Sequence, residues 1–161
     1  MSETDIKFLR AAIAVAQRAR RNGNNPFGSV LVDGDGKLVL EAENSTLTER
    51  DPTGHAETNL ARLAFAQFDS AYLAACTLYT STEPCAMCCG AIFWAGIGRV
   101  VYALSQANFH QWFVPPGLPT LHLPSREVFA RGERAVEVVG PAIEEEARTV
   151  HEGYWTTLWN T

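Results

Sequence analysis

The chain has 161 residues, of which 47% are hydrophobic and 19% are charged. This length and composition predict a single globular domain over residues 1–161, large enough to bury a core. The formal net charge is −5, from 13 basic and 18 acidic residues. This balance disfavours a general nucleic-acid binder, which usually carries a basic face. We therefore expect no DNA partner, and we rank a tRNA partner below a small molecule.

The cysteines and the apolar runs bear on the compartment. Four cysteines crowd one stretch, at Cys76, Cys85, Cys88 and Cys89, unlike a disulfide framework spread along a secreted chain. The first residues do not resemble a signal peptide, and no apolar run approaches the roughly 20 residues that span a bilayer. We expect a reducing, cytoplasmic setting and no membrane partner.

Sequence periodicity predicts the elements in chain order. Apolar residues at helical spacing, from Ile6 to Ala16, predict a helix over 5–21, and the arginines at its end complement the helix dipole. An RNA phosphate contact is the alternative role for Arg18, Arg20 and Arg21. The rest of the pattern predicts, in order, strands at 29–32 and 38–40, a helix at 55–68, a strand at 76–80, a helix at 85–94, a strand at 99–102, an irregular segment at 105–123, a short helix near 125–131, a strand at 135–139 and a helix at 141–159. Alternating strands and helices after a hairpin imply an α/β sandwich with a mixed sheet.

Two short motifs supply the ligands for one zinc ion. They are His55-Ala56-Glu57 and Pro84-Cys85-Ala86-Met87-Cys88, and together they match the H-x-E…P-C-x-x-C signature of zinc-dependent base deaminases. Catalytic zinc takes three protein ligands and leaves a fourth position open. Cys85 and Cys88 are three residues apart, so on a helix they share one face. We predict that His55, Cys85 and Cys88 bind one Zn²⁺ per chain.

Glu57 is predicted to be the catalytic acid and base. It lies two residues from His55, and the two side chains can reach one cavity if they occupy the first turn of a helix. Zinc makes hydroxide available near neutral pH, and Glu57 would move protons from the water to the ring nitrogen and the leaving amine. This chemistry replaces an amino group on a ring carbon and releases ammonia.

Other readings of these residues remain open. A C-x-x-C pair between a strand and a helix is also typical of a redox dithiol. A structural zinc site would require four protein ligands, but no second C-x-x-C and no H-x-x-x-H is present in the sequence. A non-catalytic zinc-folded or redox module is therefore the alternative from another functional class. In a purely structural zinc site, the unligated carboxylate of Glu57 would have no role, which argues against the zinc-folded version.

The motifs resemble those of the cytidine and deoxycytidylate deaminase superfamily. Within it, the branch of guanine deaminases, fungal cytosine deaminases and tRNA adenosine deaminases is the most similar. The matching residues run from Pro26-Phe-Gly28 through Asn44 and Asp51-Pro-Thr53 to Thr80-Ser-Thr-Glu-Pro-Cys85 and Gly90-Ala-Ile92. The resemblance implies a three-layer α/β/α sandwich with a five-stranded mixed sheet, and usually a homodimer or a larger assembly. It also implies that Asn44, Phe27 and Ala56 contact the base.

The resemblance does not settle which base is deaminated. Thr80-Ser-Thr-Glu-Pro-Cys85 is most like the guanine deaminases, which tend to carry an acidic residue after the fourth strand. Here that region reads Asn108-Phe-His-Gln-Trp-Phe113 and holds no acid, so His110, Gln111 and Trp112 are candidates for selecting another base, such as cytosine, isocytosine or a triazine. The alternative is that His110 is a surface loop residue. Residues of the C-terminal region, Tyr154, Trp155 and Trp159, are expected to close over the pocket or to pack in the core.

We therefore expect a zinc-dependent hydrolase that deaminates a free nucleobase or a small aminated heterocycle of the guanine or cytosine type. The alternative within the same family is conversion of adenosine to inosine in tRNA, which predicts a basic face around the pocket. The acidic run Glu144-Glu-Glu146 suits the start of a helix and disfavours an RNA-binding tail.

Overall fold

The computed structural model describes residues 1–158, so Trp159 lies outside the described residues. The helices are α1 (Glu3–Arg21), α2 (Ala56–Gln67), α3 (Ser70–Ala75), α4 (Ala86–Ala95), α5 (Gln106–Phe113), α6 (Ser125–Phe129), α7 (Glu144–Arg148) and α8 (Trp155–Leu158). The strands are β1 (Gly28–Val32), β2 (Leu38–Glu43), β3 (Thr77–Thr82), β4 (Arg99–Leu104) and β5 (Glu137–Val139). No helix in residues 1–158 combines the length and the apolar character needed to cross a membrane.

The strands form one mixed sheet in the order β2-β1-β3-β4-β5. The predicted hairpin is present, with β1 antiparallel to β2 and also antiparallel to β3. The pairs β3·β4 and β4·β5 are parallel. Parallel neighbours require crossover connections, and here these carry helices. The sheet confirms the predicted five-stranded mixed arrangement.

Each face of the sheet is covered by helices, which confirms the three-layer sandwich. On one face, α1 and α7 pack against alternate residues of the central strands, such as Val30 and Val101. On the other face, α2, α3, α4 and α6 enclose a second core around Leu31, Leu78 and Val100. The alternation follows from the two-residue period of a strand, which sends successive side chains to opposite layers.

Helix α1 is fixed to the sheet by close packing and by a buried carboxylate. A Cβ on Gly28 would lie 2.3 Å from the backbone nitrogen of Ala16, so only glycine permits this approach of β1 to α1. Asp5 accepts hydrogen bonds from Arg99 Nη1 at 2.8 Å and from the Tyr79 hydroxyl at 3.0 Å. Burial opposes ionisation of Asp5, but these bonds and those from Ser2 hold its pKa well below the usual value.

Three predictions of local structure were wrong. The pattern predicted a direct step from a helix ending at 68 to a strand starting at 76, but α3 lies between them, capped by Asp69, whose side chain accepts from Tyr72 N. The segment 105–123, predicted to be irregular, contains α5. The predicted helix over 141–159 is two short helices, separated by a turn in which Gly153 has a left-handed backbone with φ of +69°. Helix α7 itself starts after Ile143, which also has positive φ.

Candidate active site

The predicted metal ligands lie at the starts of two neighbouring helices. His55 is the N-cap of α2, and Cys85 is the N-cap of α4, a position where Ser, Thr, Asp and Asn are usually preferred. Cys88 lies one turn into α4 and is fully buried. Helices α2 and α4 pack against each other beneath the sheet. The two helix starts therefore meet at one point, as the sequence predicts.

These three residues have the spacing that a tetrahedral zinc ion requires. His55 Nδ1 lies 3.6 Å from Cys85 Sγ and 3.6 Å from Cys88 Sγ. A tetrahedral site with Zn–N near 2.0 Å and Zn–S near 2.3 Å places its ligand atoms about 3.6 Å apart. All three ligand atoms lie within 4.8 Å of one another. One imidazole and two thiols also match the donor types that zinc prefers.

The electrostatics of the ligands favour one thiolate. A hydrogen bond from Cys88, together with one from His55, lowers the pKa of the Cys85 thiol to about 4 despite burial. The pKa of Cys88 is raised well above its ordinary value by the bond with Cys85, by burial and by Glu57. The hydrogen bond with Cys85 raises the pKa of His55. Cys85 is thus ionised before Cys88, and a metal ion must displace the proton that the thiols retain.

Glu57 is buried beside the metal ligands without belonging to the ligand set. It is the second residue of α2, and its Oε1 accepts a hydrogen bond from the Thr80 hydroxyl at 2.9 Å. Its other oxygen, Oε2, lies 3.5 Å from Cys88 Sγ. Burial raises the pKa of Glu57, while His55 acts in the opposite direction. A carboxyl group in this environment holds and releases a proton more readily near neutral pH than an exposed glutamate.

A cavity of about 320 Å³ opens above the metal ligands. One side, here called the metal wall, is formed by His55, Glu57, Thr82, Cys85 and Met87, and Glu83 lies between this wall and α5. The opposite side, here called the lid wall, is formed by Gln106, Phe109, His110, Thr120 and Leu121. Phe27 joins the two walls, and its ring lies 5.5 Å from that of Phe109. The volume is at the small end of the range for ligand pockets, about 300–1,000 Å³.

The lid wall is anchored by two carboxylates from other segments. Glu83 accepts from the backbone N of Gln106 at 3.1 Å, and from the backbone N and hydroxyl of Ser125 at 3.0 and 2.7 Å. Glu144 accepts from the backbone N and hydroxyl of Ser105 at 2.9 and 2.8 Å. These carboxylates satisfy N–H groups at the starts of α5 and α6, where negative charge is stabilising. They explain why residues without strong helical periodicity form α5.

Of the four residues predicted to contact the substrate, one lines the cavity and three are buried around it. Phe27 lines the cavity. Asn44 is buried just behind it, with its backbone N bonded to Phe27 O and its Oδ1 accepting from Thr46. Ala56 is buried between His55 and Glu57. Trp155 is also buried, and its ring packs 6.0 Å from Phe27 and 5.5 Å from Phe109, so it supports the cavity from behind.

Several cavity residues were not predicted from sequence. Gln106, Phe109 and Thr120 lie in the segment that was expected to be irregular, and Glu83 was noted only as part of a motif. Of the three residues predicted to select the base, His110 lines the cavity, whereas Gln111 and Trp112 are not among its lining residues, so the prediction was wrong for these two. The sequence signal that could have located α5 is Ser105, whose side chain caps the helix by accepting from Asn108 N.

The chain matches a family model and several known proteins. Residues 2–104, more than half of the chain, match the cytidine and deoxycytidylate deaminase zinc-binding region. A probable cytosine deaminase of Schizosaccharomyces pombe is 44% identical over 156 residues, covering 96% of this chain and 94% of that protein. A guanine deaminase of Bacillus subtilis is 40% identical over 113 residues, covering 66% of this chain and 72% of that protein.

A solved structure extends the likeness to three dimensions. It comes from a study of A-to-I editing by tRNA:A34 deaminases, is 27% identical and superposes with a TM-score of 0.69. The match covers 90% of this chain and 99% of that one. The family match and the His55, Cys85 and Cys88 group support a single zinc ion. The chain therefore belongs to the cytidine and deoxycytidylate deaminase family and is a zinc-dependent hydrolytic deaminase.

Proposed function

We propose that this deaminase acts on a free nucleobase of the cytosine type. The observation that carries the proposal is the cavity, which is small and closed on one side by the lid wall. Among the described residues, no lysine or arginine lines it, so it offers no partner for a phosphate group. The Schizosaccharomyces pombe relative, a probable cytosine deaminase, aligns along nearly the whole chain. Both points favour an uncharged base over a nucleotide.

The proposed reaction replaces the exocyclic amine of the ring with oxygen and releases ammonia. Zinc, when bound by His55, Cys85 and Cys88, supplies a Lewis acid that makes hydroxide available near neutral pH. Glu57 takes one proton from the attacking water and passes it to the ring nitrogen, and then takes the second proton from the hydroxyl on the reacting carbon and passes it to the leaving amine. Its bond with the Thr80 hydroxyl holds the carboxylate in one orientation during both transfers.

The base is held between aromatic and amide side chains. Phe27 packs on the ring, supported from behind by Phe109 and Trp155. Asn44 donates from Nδ2, since its Oδ1 is already engaged by Thr46 at 2.8 Å. The role of Asn44 is the one that the family resemblance implies. Trp155 acts on the base through Phe27 and Phe109 in this arrangement.

Deamination of adenosine in tRNA is the second candidate, and the arginines of α1 argue against it. Arg18 pairs with Glu41 at 2.7 Å and with Glu43 at 3.0 Å. Arg20 donates to the backbone oxygens of Val150 and Glu152. Since both guanidinium groups are engaged within the fold, they are poorly placed to neutralise RNA phosphates.

Four free thiols support the predicted cytoplasmic location, because such thiols persist in a reducing compartment.

Ammonia release from zinc-loaded protein tests the proposed function. The substrates would be cytosine, isocytosine, guanine, adenine, cytidine and a tRNA anticodon stem-loop, each with the Glu57→Gln variant as control. We expect turnover of cytosine and none of the stem-loop. Turnover of the stem-loop alone would overturn the proposal in favour of tRNA editing. Bound zinc with no turnover of any substrate would favour the non-catalytic module.

We also propose that the protein is a homodimer through the outer face of α2 and α4. Phe65 and Trp94 are 66% and 79% exposed there and flank a groove lined by Ala61, Ala91 and Ala95. Large exposed aromatic side chains on one small-residue face are typical of an interface, and a twofold axis would pair this patch with itself. Light scattering should give the mass of a dimer for the wild type and of a monomer for Trp94→Glu. A monomeric wild type would overturn the proposal.

A further inference from the structure

Helix α5 presents three side chains to the cavity from one face. Gln106, Phe109 and His110 are spaced i, i+3 and i+4, so they are neighbours on the helix surface, and all three line the cavity. Phe109 packs against Phe27 and against the fully buried His151, with ring centroids 5.5 and 5.1 Å apart. The face of α5 is therefore held in a defined orientation opposite the metal wall.

Most polar groups around the cavity are already engaged within the protein. The Glu83 carboxylate accepts from Gln106 N and from Ser125, and Glu57 accepts from Thr80. Within residues 1–158, three polar groups that line the cavity have no hydrogen-bond partner: the buried Thr82 hydroxyl, the carboxamide of Gln106 and the Nε2 atom of His110. The Thr82 hydroxyl belongs to the metal wall, and the other two groups belong to the lid wall. Buried or half-buried polar groups normally find a partner. A ligand in the cavity would supply one for both lid-wall groups.

His110 is oriented by a short chain of hydrogen bonds. Its Nδ1 lies 3.2 Å from Nδ1 of His122, and His122 Nε2 lies 2.5 Å from the Thr120 hydroxyl oxygen. When Thr120 donates to His122, His122 donates to His110, and His110 then carries its proton on Nε2. When His110 instead donates to His122 and His122 donates to Thr120, the Nε2 atom of His110 is left as an acceptor. Burial and the neighbouring His122 lower the pKa of His110, which favours the neutral ring.

We propose that Gln106 and His110 recognise the edge of the substrate ring that lies opposite the reacting carbon, and that this edge is a lactam, an N–H beside a C=O. A carboxamide offers an acceptor and donors side by side, so Gln106 can accept from the N–H and donate to the C=O together. His110 Nε2 adds one hydrogen bond to the same edge. His122 is a positioning residue for His110.

The proposal rests on the proposed function and explains why a free base would be selected. In cytosine the reacting carbon C4 lies across the ring from N1, and the N1–H is next to C2=O. In cytidine or 1-methylcytosine, N1 carries a carbon substituent, so the N–H donor is lost. A site built to hydrogen-bond an N–H discriminates strongly against an analogue without it, because its own polar group is left unpaired.

Calorimetric binding tests this recognition without turnover. Cytosine and 1-methylcytosine would be titrated into zinc-loaded Glu57→Gln protein, alone and combined with Gln106→Leu. We expect Gln106→Leu to weaken cytosine binding by about 10- to 100-fold and to weaken the already weak binding of 1-methylcytosine, which keeps C2=O but lacks N1–H, by a smaller factor. Gln111→Leu is the matched control, because Gln111 is exposed on the same helix and should change neither. His110→Phe should cause a smaller loss for cytosine.

The outcomes separate this inference from the proposed function. Equal losses for cytosine and 1-methylcytosine, unchanged cytosine binding or no cytosine binding by the Glu57→Gln protein would each overturn the lactam recognition. Cytosine binding that depends on Gln106, in a wild-type protein that releases no ammonia, would support the recognition and overturn the proposed function. If the wild type turns over cytosine and Gln106→Leu still distinguishes cytosine from 1-methylcytosine as well as the unsubstituted protein does, the proposed function would stand and the lactam recognition would be overturned.

Discussion

The metal wall of the cavity is built from residues close together in the sequence, whereas the lid wall is held by carboxylates from distant segments. His55 and Glu57 belong to one helix start, and Cys85 and Cys88 to another. The lid wall depends on Glu83, some 23 residues before Gln106 and 42 before Ser125. Its other anchor, Glu144, lies 39 residues after Ser105. The reactive groups are thus set locally, and the substrate-facing groups by tertiary contacts.

This difference assigns separate tasks to the two walls. Helix starts hold their side chains in a narrow range of positions, which suits metal ligation and proton transfer. A helix that is anchored by a few hydrogen bonds can change its exposed residues without disturbing those ligands. We therefore expect changes to the metal wall to abolish the reaction, and changes to the lid wall to alter which ring is accepted.

The largest effect is expected from removing a metal ligand. Cys88→Ala leaves two of three ligands, so zinc should fall from one per chain to a small fraction of this value, and ammonia release should be lost. Metal analysis after gel filtration would measure the zinc. Cys89→Ala is the matched control, since the adjacent Cys89 thiol donates to Pro84 O instead of facing the metal group. A fully metallated Cys88→Ala protein would show that the proposed ligand set is wrong.

The next largest effect is expected from Glu57→Gln, which keeps the shape of the side chain and removes its proton transfer. We expect kcat to fall by about 10²- to 10⁴-fold, the usual contribution of a general acid–base group. Zinc content should stay at one per chain, because Glu57 is outside the ligand group. Loss of zinc would make Glu57 a ligand, and unchanged turnover would remove its proposed role.

The metal wall could be predicted from sequence because its signals are local. H-x-E and P-C-x-x-C place their side chains within a single helical turn, so the spacing alone indicates which groups converge. The strands could be predicted for a similar reason, since Val30, Leu31 and Val32 are buried on alternate faces of the sheet. What the sequence did not supply was the ends of these elements, which shifted by a few residues.

The lid wall could not be predicted because its stability comes from elsewhere in the fold. Residues 106–113 have mixed polarity, and the backbone N–H groups of Ser105 and Gln106 at the start of α5 are satisfied by Glu144 and Glu83, respectively. The continuous helix predicted over 141–159 failed for a related reason. His151 is fully buried there among Phe27, Phe109 and Phe113, so the chain bends to place it, and Gly153 takes up the left-handed turn.

A smaller effect is expected from loosening the lid wall. In Glu83→Gln, an amide N–H replaces one acceptor and faces a backbone N–H of α5 or α6, so the anchor should weaken by about 1.5–3 kcal/mol. We expect kcat/KM to fall by about tenfold with zinc unchanged. Chymotrypsin should cut within residues 106–124 faster than in the wild type, because local opening becomes easier.

The choice of protease and control makes this test specific. Residues 106–124 contain Phe, Trp and Leu but no Lys or Arg, so chymotrypsin can cut this segment and trypsin cannot. Mass spectrometry of the fragments separates these cuts from cuts at exposed sites elsewhere, such as Phe65 and Trp94. Glu133→Gln changes an exposed carboxyl group and should leave both cleavage and kcat/KM unaltered. If Glu83→Gln were cut at the wild-type rate, Glu83 would not be an anchor of the lid wall.

The smallest effect on activity is expected far from both walls, at Asp5. Asp5→Asn removes the charge that Arg99 and Tyr79 bind, so the free energy of unfolding at pH 7 should fall by about 2 kcal/mol, with kcat/KM nearly unchanged. The pKa of Asp5 is lowered in the folded state. Its contribution is therefore complete above its unfolded pKa, near 3.9, and declines as the pH falls below that value.

Urea unfolding at pH 7 and near pH 3 would measure this difference, which should shrink at the lower pH. Glu137→Gln is the matched control, because Glu137 pairs with the same Arg99 at 3.2 Å but is 64% exposed. It should cost less than about 1 kcal/mol. A wild-type advantage over Asp5→Asn that stayed constant down to pH 3 would mean that packing of Asp5, and not its charge, fastens α1 to the sheet.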